Sequence, residues 1–338
     1  MTFFVGLLFL LCFYGINYSA FQDDYLSVPK TTSIKGLFAV LILLSHVRGY
    51  GVFTSGTDLG STVLTILGQM IVVMYFFYSG YGISEQYRKK GDDYFRAFPK
   101  RRILKTLFHF DVAVLLFIIL QSALGTYFPA SEYLLSLIGW TSVGNSNWFV
   151  FDILELYLLT WIAFRTCAYF KTSETVLCLS ISCLTLCFWL LLHHYRVTQE
   201  WWMNTIAAFP LGFWYSNVKT YADKVLKKHF LIAFLPAILW IFWRLLVGID
   251  MLGIAAILFA IGVVGFTSKV SIDNKVLRWL GTNCFEIYIL QRLPMIFLAS
   301  FGIQEYSFLF AFFVIIITLA LADVFHRCLL IIDSKLLY

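Results

Sequence analysis

The chain has 338 residues, of which 60% are hydrophobic, 19% aromatic and 13% charged, about half the charged share of an ordinary soluble domain. This composition excludes a soluble globular enzyme. The net charge of +6 does not point to nucleic acid, because the basic residues cluster in short segments between apolar runs, where membrane topology puts them. Seven cysteines, odd in number and irregularly spaced, exclude a disulfide framework and a zinc site, and we expect no metal.

A helix needs about 20 mostly apolar residues to cross roughly 30 Å of hydrocarbon. Runs of this kind fall at 2–20, 34–52, 61–84, 104–125, 147–168, 175–194, 202–217, 229–248, 250–268, 284–302 and 307–331. The expected fold is therefore all-α, a polytopic transmembrane helix bundle of about 11 spans. The first run has no Lys or Arg ahead of its apolar core, and Tyr18 spoils a small-x-small cleavage pattern. It reads as a retained helix, with residues 1–30 forming an extra N-terminal span and a short cytoplasmic loop. The loop at 85–105 holds eight Lys or Arg and is cytoplasmic by the positive-inside rule. Alternation from there puts the N-terminus outside and the C-terminus inside. It leaves Arg48, Arg196, Arg244 and Arg292 as the external basic residues, four against twenty-one.

The second run, "KGLFAVLILLSH", carries Lys35 and His46 eleven residues apart. Three helical turns plus about 20° place both on one face, about 16 Å apart along the axis. Ionisable groups in a span are costly and face protein interior or a wet cavity. On these residues alone, Lys35 as an interfacial anchor and His46 as a packed residue stand beside a functional pair. The third run closes on "FFYSGYG" (76–82), where Gly80 and Gly82 permit close helix approach and Ser79 offers an interhelical hydrogen bond. "KRRILK" (100–105) follows, readable as a positive-inside signal or as a phosphate clamp. "GNSNWFVFDILELY" (144–157) places Asn147 and Trp148 at an outer interface and Asp152 and Glu155 one turn apart within the span. His193 and His194 with Trp201 and Trp202 read as an interfacial belt. "LGTNCFEIYILQRLP" (280–294) carries Asn283, Glu286, Gln291 and Arg292 in one span, a polar path through the membrane.

Taken together, these stretches resemble the acyltransferase-3 family of integral-membrane acyltransferases, in the capsule and exopolysaccharide O-acetyltransferase form. Lys35 to His46 resembles the family's Arg/Lys-x10-His signature, "FFYSGYG" its FFxxSGF/Y element, and "KRRILK" its Arg-rich stretch with Lys105 in place of a common Arg. The late LGxxSxxIYLxH element is matched with Cys284 for Ser and Gln291 for His. The resemblance implies a ten-helix acyltransferase membrane domain over 31–338, acetyl-CoA as a cytoplasmic donor co-substrate with no bound cofactor, and a glycan acceptor at or beyond the outer face. It implies His46 as the catalytic residue, by general base or acetyl-His chemistry. Lys35, Arg101, Arg102 and Lys105 are then candidates for the CoA phosphates. Ser79, Tyr81, Asn147, Trp148, Asp152, Glu155, Glu286 and Arg292 are candidates for substrate contact or support, with Asp152 or Glu155 available to orient His46. A homo-oligomer is compatible with this reading, the bilayer is an obligate partner and nucleic acid is not expected. The same polar helices also fit a transporter or flippase without acyl-transfer chemistry, and less well a lipid-embedded glycosyltransferase.

Overall fold

The computed structural model describes residues 1–53, 58–246 and 253–336. In chain order the elements are α1 Thr2–Phe13, β1 Ile16–Tyr18, α2 Val28–Arg48, α3 Leu59–Leu67, α4 Val73–Lys90, α5 Asp92–Phe98 and α6 Lys105–Ala123. There follow α7 Ala130–Leu137, α8 Trp148–Tyr169, α9 Glu174–Tyr195, α10 Ala208–Lys228, α11 Leu235–Leu246 and α12 Ile254–Thr267. The chain closes with β2 Val270–Ile272, α13 Lys275–Thr282, α14 Cys284–Leu290, α15 Arg292–Ser300 and α16 Ser307–Leu336. The protein is an all-α helical membrane bundle. Among the described residues five helical stretches are long and apolar enough to cross a membrane: 28–48, 59–90, 92–123, 174–195 and 307–335. α8 is as long, but Asp152, Glu155 and Arg165 interrupt its apolar run.

Several predicted spans take a different form. The first is a 12-residue helix, about 18 Å long, continued by an extended segment rather than a helix over 2–20. That segment, β1, pairs antiparallel with β2 through Ile16↔Ile272, Asn17↔Ser271 and Tyr18↔Val270. The pairing satisfies backbone groups that a short helix leaves open, as a chain leaving hydrocarbon requires. The predicted span 61–84 is two helices joined by a 3-10 turn over Gly68–Val72. The predicted span 284–302 is likewise broken, at Asn283 and Gln291. The segment 85–105, expected as a loop, is helical almost throughout. α4 runs on to Lys90, Gly91 makes the turn with φ +56, and α5 continues into α6 through a π-turn at Pro99–Leu104. The basic motif therefore sits on a π-turn, a distortion often found where side chains are redirected for function.

Segments that alternation assigns to a common side meet in space. At one end Lys269 donates from Nζ to the carbonyls of Ala20 (2.5 Å) and Leu226 (2.7 Å), and Lys227 pairs with Asp23 at 2.7 Å. At the same end Arg88 reaches Glu174, Ser216 and Asn217. At the other end the N-terminal ammonium lies 3.3 Å from Asp58 Oδ1, Arg48 donates to the Ser61 carbonyl at 2.9 Å, and the Phe53 amide meets Ser307 Oγ.

Small residues draw the core helices together, as expected in lipid, where packing replaces the hydrophobic effect. Gly36 on α2 and Gly281 on α13 face each other so closely that a Cβ on Gly36 would lie 2.1 Å from the Leu277 carbonyl oxygen. Gly80 on α4 meets Phe209 on α10 in the same way, while Gly82 has open space beside it. The Gly36 crossing fixes the helix that carries both Lys35 and His46.

Candidate active site

α2 starts with Pro29 in its first turn, where a missing N–H costs nothing, and Ser27 at the N-cap. It runs unbroken to Arg48, so Lys35 and His46 share a face as the spacing predicts. Lys35 borders a cavity of about 480 Å³ between α2, α4, α6, α8 and α14. Its walls include Tyr75, Ser79, Tyr81, Lys89, Arg102, Phe149, Tyr157 and Cys284. Elements more than two hundred residues apart in sequence converge here.

The contacts that shape the cavity involve residues from three of the motifs. Tyr75 donates its hydroxyl to the Lys35 carbonyl at 2.7 Å, tying α4 to α2. Ser79 Oγ and the Tyr157 hydroxyl are 2.7 Å apart. Tyr157 and Tyr94 lie beside the Arg102 guanidinium, so the Ser79 contact positions a ring that flanks Arg102. Tyr81 stacks parallel on Phe77 and lines the same cavity. Cys284, which stands where the late family element has Ser, also borders it.

The cavity lining includes Tyr75 and Phe149, whose rings are 5.9 Å apart. Phe149 makes an edge contact with Tyr288 at 5.4 Å, and Tyr288 lies 6.4 Å from the His46 ring. Ring contacts thus run in series from the cavity lining, through Phe149 and Tyr288, to the histidine. His46 is half-buried, and its Nδ1 is shielded from solvent with no hydrogen-bond partner among the described residues. Gln291 lies beside the ring and the Arg292 guanidinium is a nearby cation. Gln291 is fully buried and donates from Nε2 to the Tyr288 carbonyl at 3.1 Å, and its Oε1 has no partner among the described residues.

The expected site residues divide into several groups. Lys35 and Arg102 share the main cavity. Arg101 and Lys105 do not reach it; with Arg102 they line a neighbouring chamber, where Lys105 is paired to Asp333 at 2.6 Å. Of the three, only Arg102, on the π-turn, borders both spaces, which a reading of the motif as one clamp did not anticipate. Glu286 turns away from His46 and pairs with His326 at 2.8 Å, also in that chamber. Asp152 is fully buried and neither carboxylate oxygen holds a hydrogen bond among the described residues, so it does not orient the His46 ring. Its ionisable neighbours are Glu155, which is half-buried, and Arg196. Asn147 donates to the Gly139 carbonyl at 2.8 Å, fixing the turn before α8, and Trp148 packs on Phe149.

Sequence reading missed Tyr288, Tyr157, Tyr75 and Arg196. Tyr157 and Tyr288 fall inside quoted motifs, but aromatic residues are so frequent in this chain that none stands out. Arg196 lies between the rings of Trp140 (4.0 Å) and Trp202 (4.4 Å). That contact makes Trp202 a buried residue rather than part of an interfacial belt, whereas Trp201, His193 and His194 are exposed as expected. Arg244 lies among residues whose side chains are not described.

No curated protein and no solved structure matches the chain. Residues 32–327, which contain all the motifs and both cavities except Asp333 and the rim residues Leu26, Val28, Thr31, Leu329 and Leu330, match the family model described as an acyltransferase domain. The chain belongs to the acyltransferase-3 family and is a membrane acyltransferase.

Proposed function

We propose that the protein is a membrane O-acetyltransferase that moves an acetyl group from cytoplasmic acetyl-CoA to a hydroxyl of a cell-surface or lipid-linked polysaccharide. The observation that carries this reading is the meeting of Lys35 and Arg102 on one cavity that leads, along Tyr75, Phe149 and Tyr288, towards His46. CoA carries its phosphates at one end and its thioester at the end of a long arm. Lys35 and Arg102, with Lys89 at the rim, take the phosphate end. The pantetheine arm lies in the cavity and follows the Phe149 and Tyr288 rings to bring the thioester near His46.

There the imidazole accepts the proton of the acceptor hydroxyl as its oxygen attacks the thioester carbonyl. The C–O bond forms, the C–S bond breaks, and the CoA thiolate leaves and takes the proton. Arg292, beside His46, is placed to offset negative charge on the carbonyl oxygen during the transfer.

The test is release of free CoA thiol by purified protein supplied with acetyl-CoA and a polysaccharide acceptor. His46→Ala lowers turnover by about 10²–10⁴-fold, the range for loss of a general base, while its melting temperature stays near that of the wild type. Full turnover in a folded His46→Ala variant refutes the role of His46. Transmembrane movement of a glycan by wild-type protein that releases no thiol supports the transporter reading instead.

A further inference from the structure

A second chamber of about 340 Å³ lies beside the donor cavity, separated from it by Arg102, Thr106 and Phe285, which line both. α6 forms one side, α16 the other and α14 the back. The two sides are bridged by Asp333, which receives Lys105 Nζ at 2.6 Å and faces His109 Nε2 at 3.1 Å. At the back, Glu286 Oε1 meets His326 Nδ1 at 2.8 Å.

Two features of this chamber are unusual. The first is its mouth. Leu104 on the α6 side and Leu330 and Ile331 on the α16 side are 58%, 51% and 60% exposed, and Leu330 is also part of the chamber lining. In a membrane protein such side chains face lipid, so the chamber opens sideways towards acyl chains at the basic end of the bundle. The second is its charge. Arg101 is exposed and in no ion pair among the described residues. Lys105 has three N–H donors and Asp333 uses one site on it. In the same lining Glu286 is 5% exposed, and its Oε2 is buried with no hydrogen-bond partner among the described residues. A buried carboxylate oxygen left without a donor is costly. A simple anion here faces Glu286 and Asp333, and a simple cation faces Arg101 and Lys105. A ligand carrying a phosphate next to an N–H-bearing ammonium meets both signs at once.

We propose that this chamber binds the headgroup of a membrane phospholipid of the phosphoethanolamine type. The phosphate sits at Arg101 and Lys105, the primary ammonium donates to Glu286 Oε2, and the acyl chains run along Leu104, Leu330 and Ile331. The assignment stands apart from the donor reading, because the chamber has its own opening and its own polar groups.

The test uses the full chain in detergent, with melting followed by tryptophan fluorescence. The probes are dioleoyl-phosphatidylethanolamine, -phosphatidylcholine and -phosphatidylglycerol, inorganic phosphate and CoA. Phosphatidylethanolamine raises the melting temperature by more than phosphatidylcholine, whose trimethylammonium has no N–H, and by more than phosphatidylglycerol, which lacks the amine. Arg101→Ala and Glu286→Gln each remove that preference. Arg101 is exposed, so its variant reports even where Glu286→Gln folds poorly. Equal stabilisation by phosphatidylcholine, or a preference that survives Arg101→Ala, overturns the proposal. Stabilisation by inorganic phosphate or phosphatidylglycerol as large as that by phosphatidylethanolamine overturns the two-charge site. Stabilisation by CoA that is lost in Arg101→Ala overturns it in favour of an extension of the donor site.

Discussion

Replacing Gly36 with alanine puts a methyl group into the seam between α2 and α13. The new Cβ would stand 2.1 Å from the Leu277 carbonyl oxygen and 2.8 Å from the Gly281 amide nitrogen, both backbone atoms that cannot rotate away. Reaching an ordinary contact of 3.4 Å requires the helices to part by about 1.3 Å. Overpacking of this kind costs about 1–3 kcal/mol. The functional cost is larger. Lys35 is the neighbouring residue and its carbonyl holds the Tyr75 hydroxyl, so a displaced α2 shifts Lys35 against Arg102 and His46 against Arg292. A misplacement of about 1 Å in a reacting constellation lowers rates by about 10²-fold. The assay pairs a thermal melt in detergent with thiol release from acetyl-CoA on the same preparation. Gly6→Ala on α1 is the control, because a Cβ there meets no heavy atom within 4 Å. A Gly36→Ala protein that melts and turns over like wild type refutes the close crossing. So does equal damage from Gly6→Ala.

Ser79→Ala removes the 2.7 Å contact with Tyr157 and frees the ring that flanks Arg102. It should raise KM for acetyl-CoA several-fold with little change in kcat and lower stability by about 1 kcal/mol; an unchanged KM contradicts the positioning role. Asp58 caps α3. Partial burial pushes its pKa up, but hydrogen bonds from Ser61 at 2.7 Å and from the Thr2 amide at 3.0 Å outweigh this and hold it below the usual 3.8. A carboxyl depressed in the folded state stabilises above its unfolded value and loses that contribution as pH falls through and below 3.8. Asp58→Asn should therefore melt lower than wild type at pH 6, with the gap closing towards pH 3. Parallel melting curves across that range contradict it.

Much of this protein is legible in one dimension. Apolar runs of membrane length, a fixed 100° per residue and the clustering of Lys and Arg determine a helical membrane bundle and put Lys35 and His46 on one face of one helix. These are local or additive properties, so they need no knowledge of neighbours. The small residues of "FFYSGYG" announce a close crossing for the same reason, and Gly80 makes one.

Tertiary structure decided which motif residues look at each other. The basic stretch 100–105 is a single cluster in sequence, yet only Arg102 reaches the main cavity, while Arg101 and Lys105 line the chamber beside it alone. Glu286 and Arg292 are six residues apart in one motif, about 120° apart around a helix, and one pairs with His326 while the other stands near His46. Asp152 has the spacing of an orienting acid and no bond to the histidine. The helical period gives the direction of a side chain from its own axis. What lies along that direction depends on helix breaks and on crossings such as Gly36 with Gly281, and those are settled only when separate segments pack.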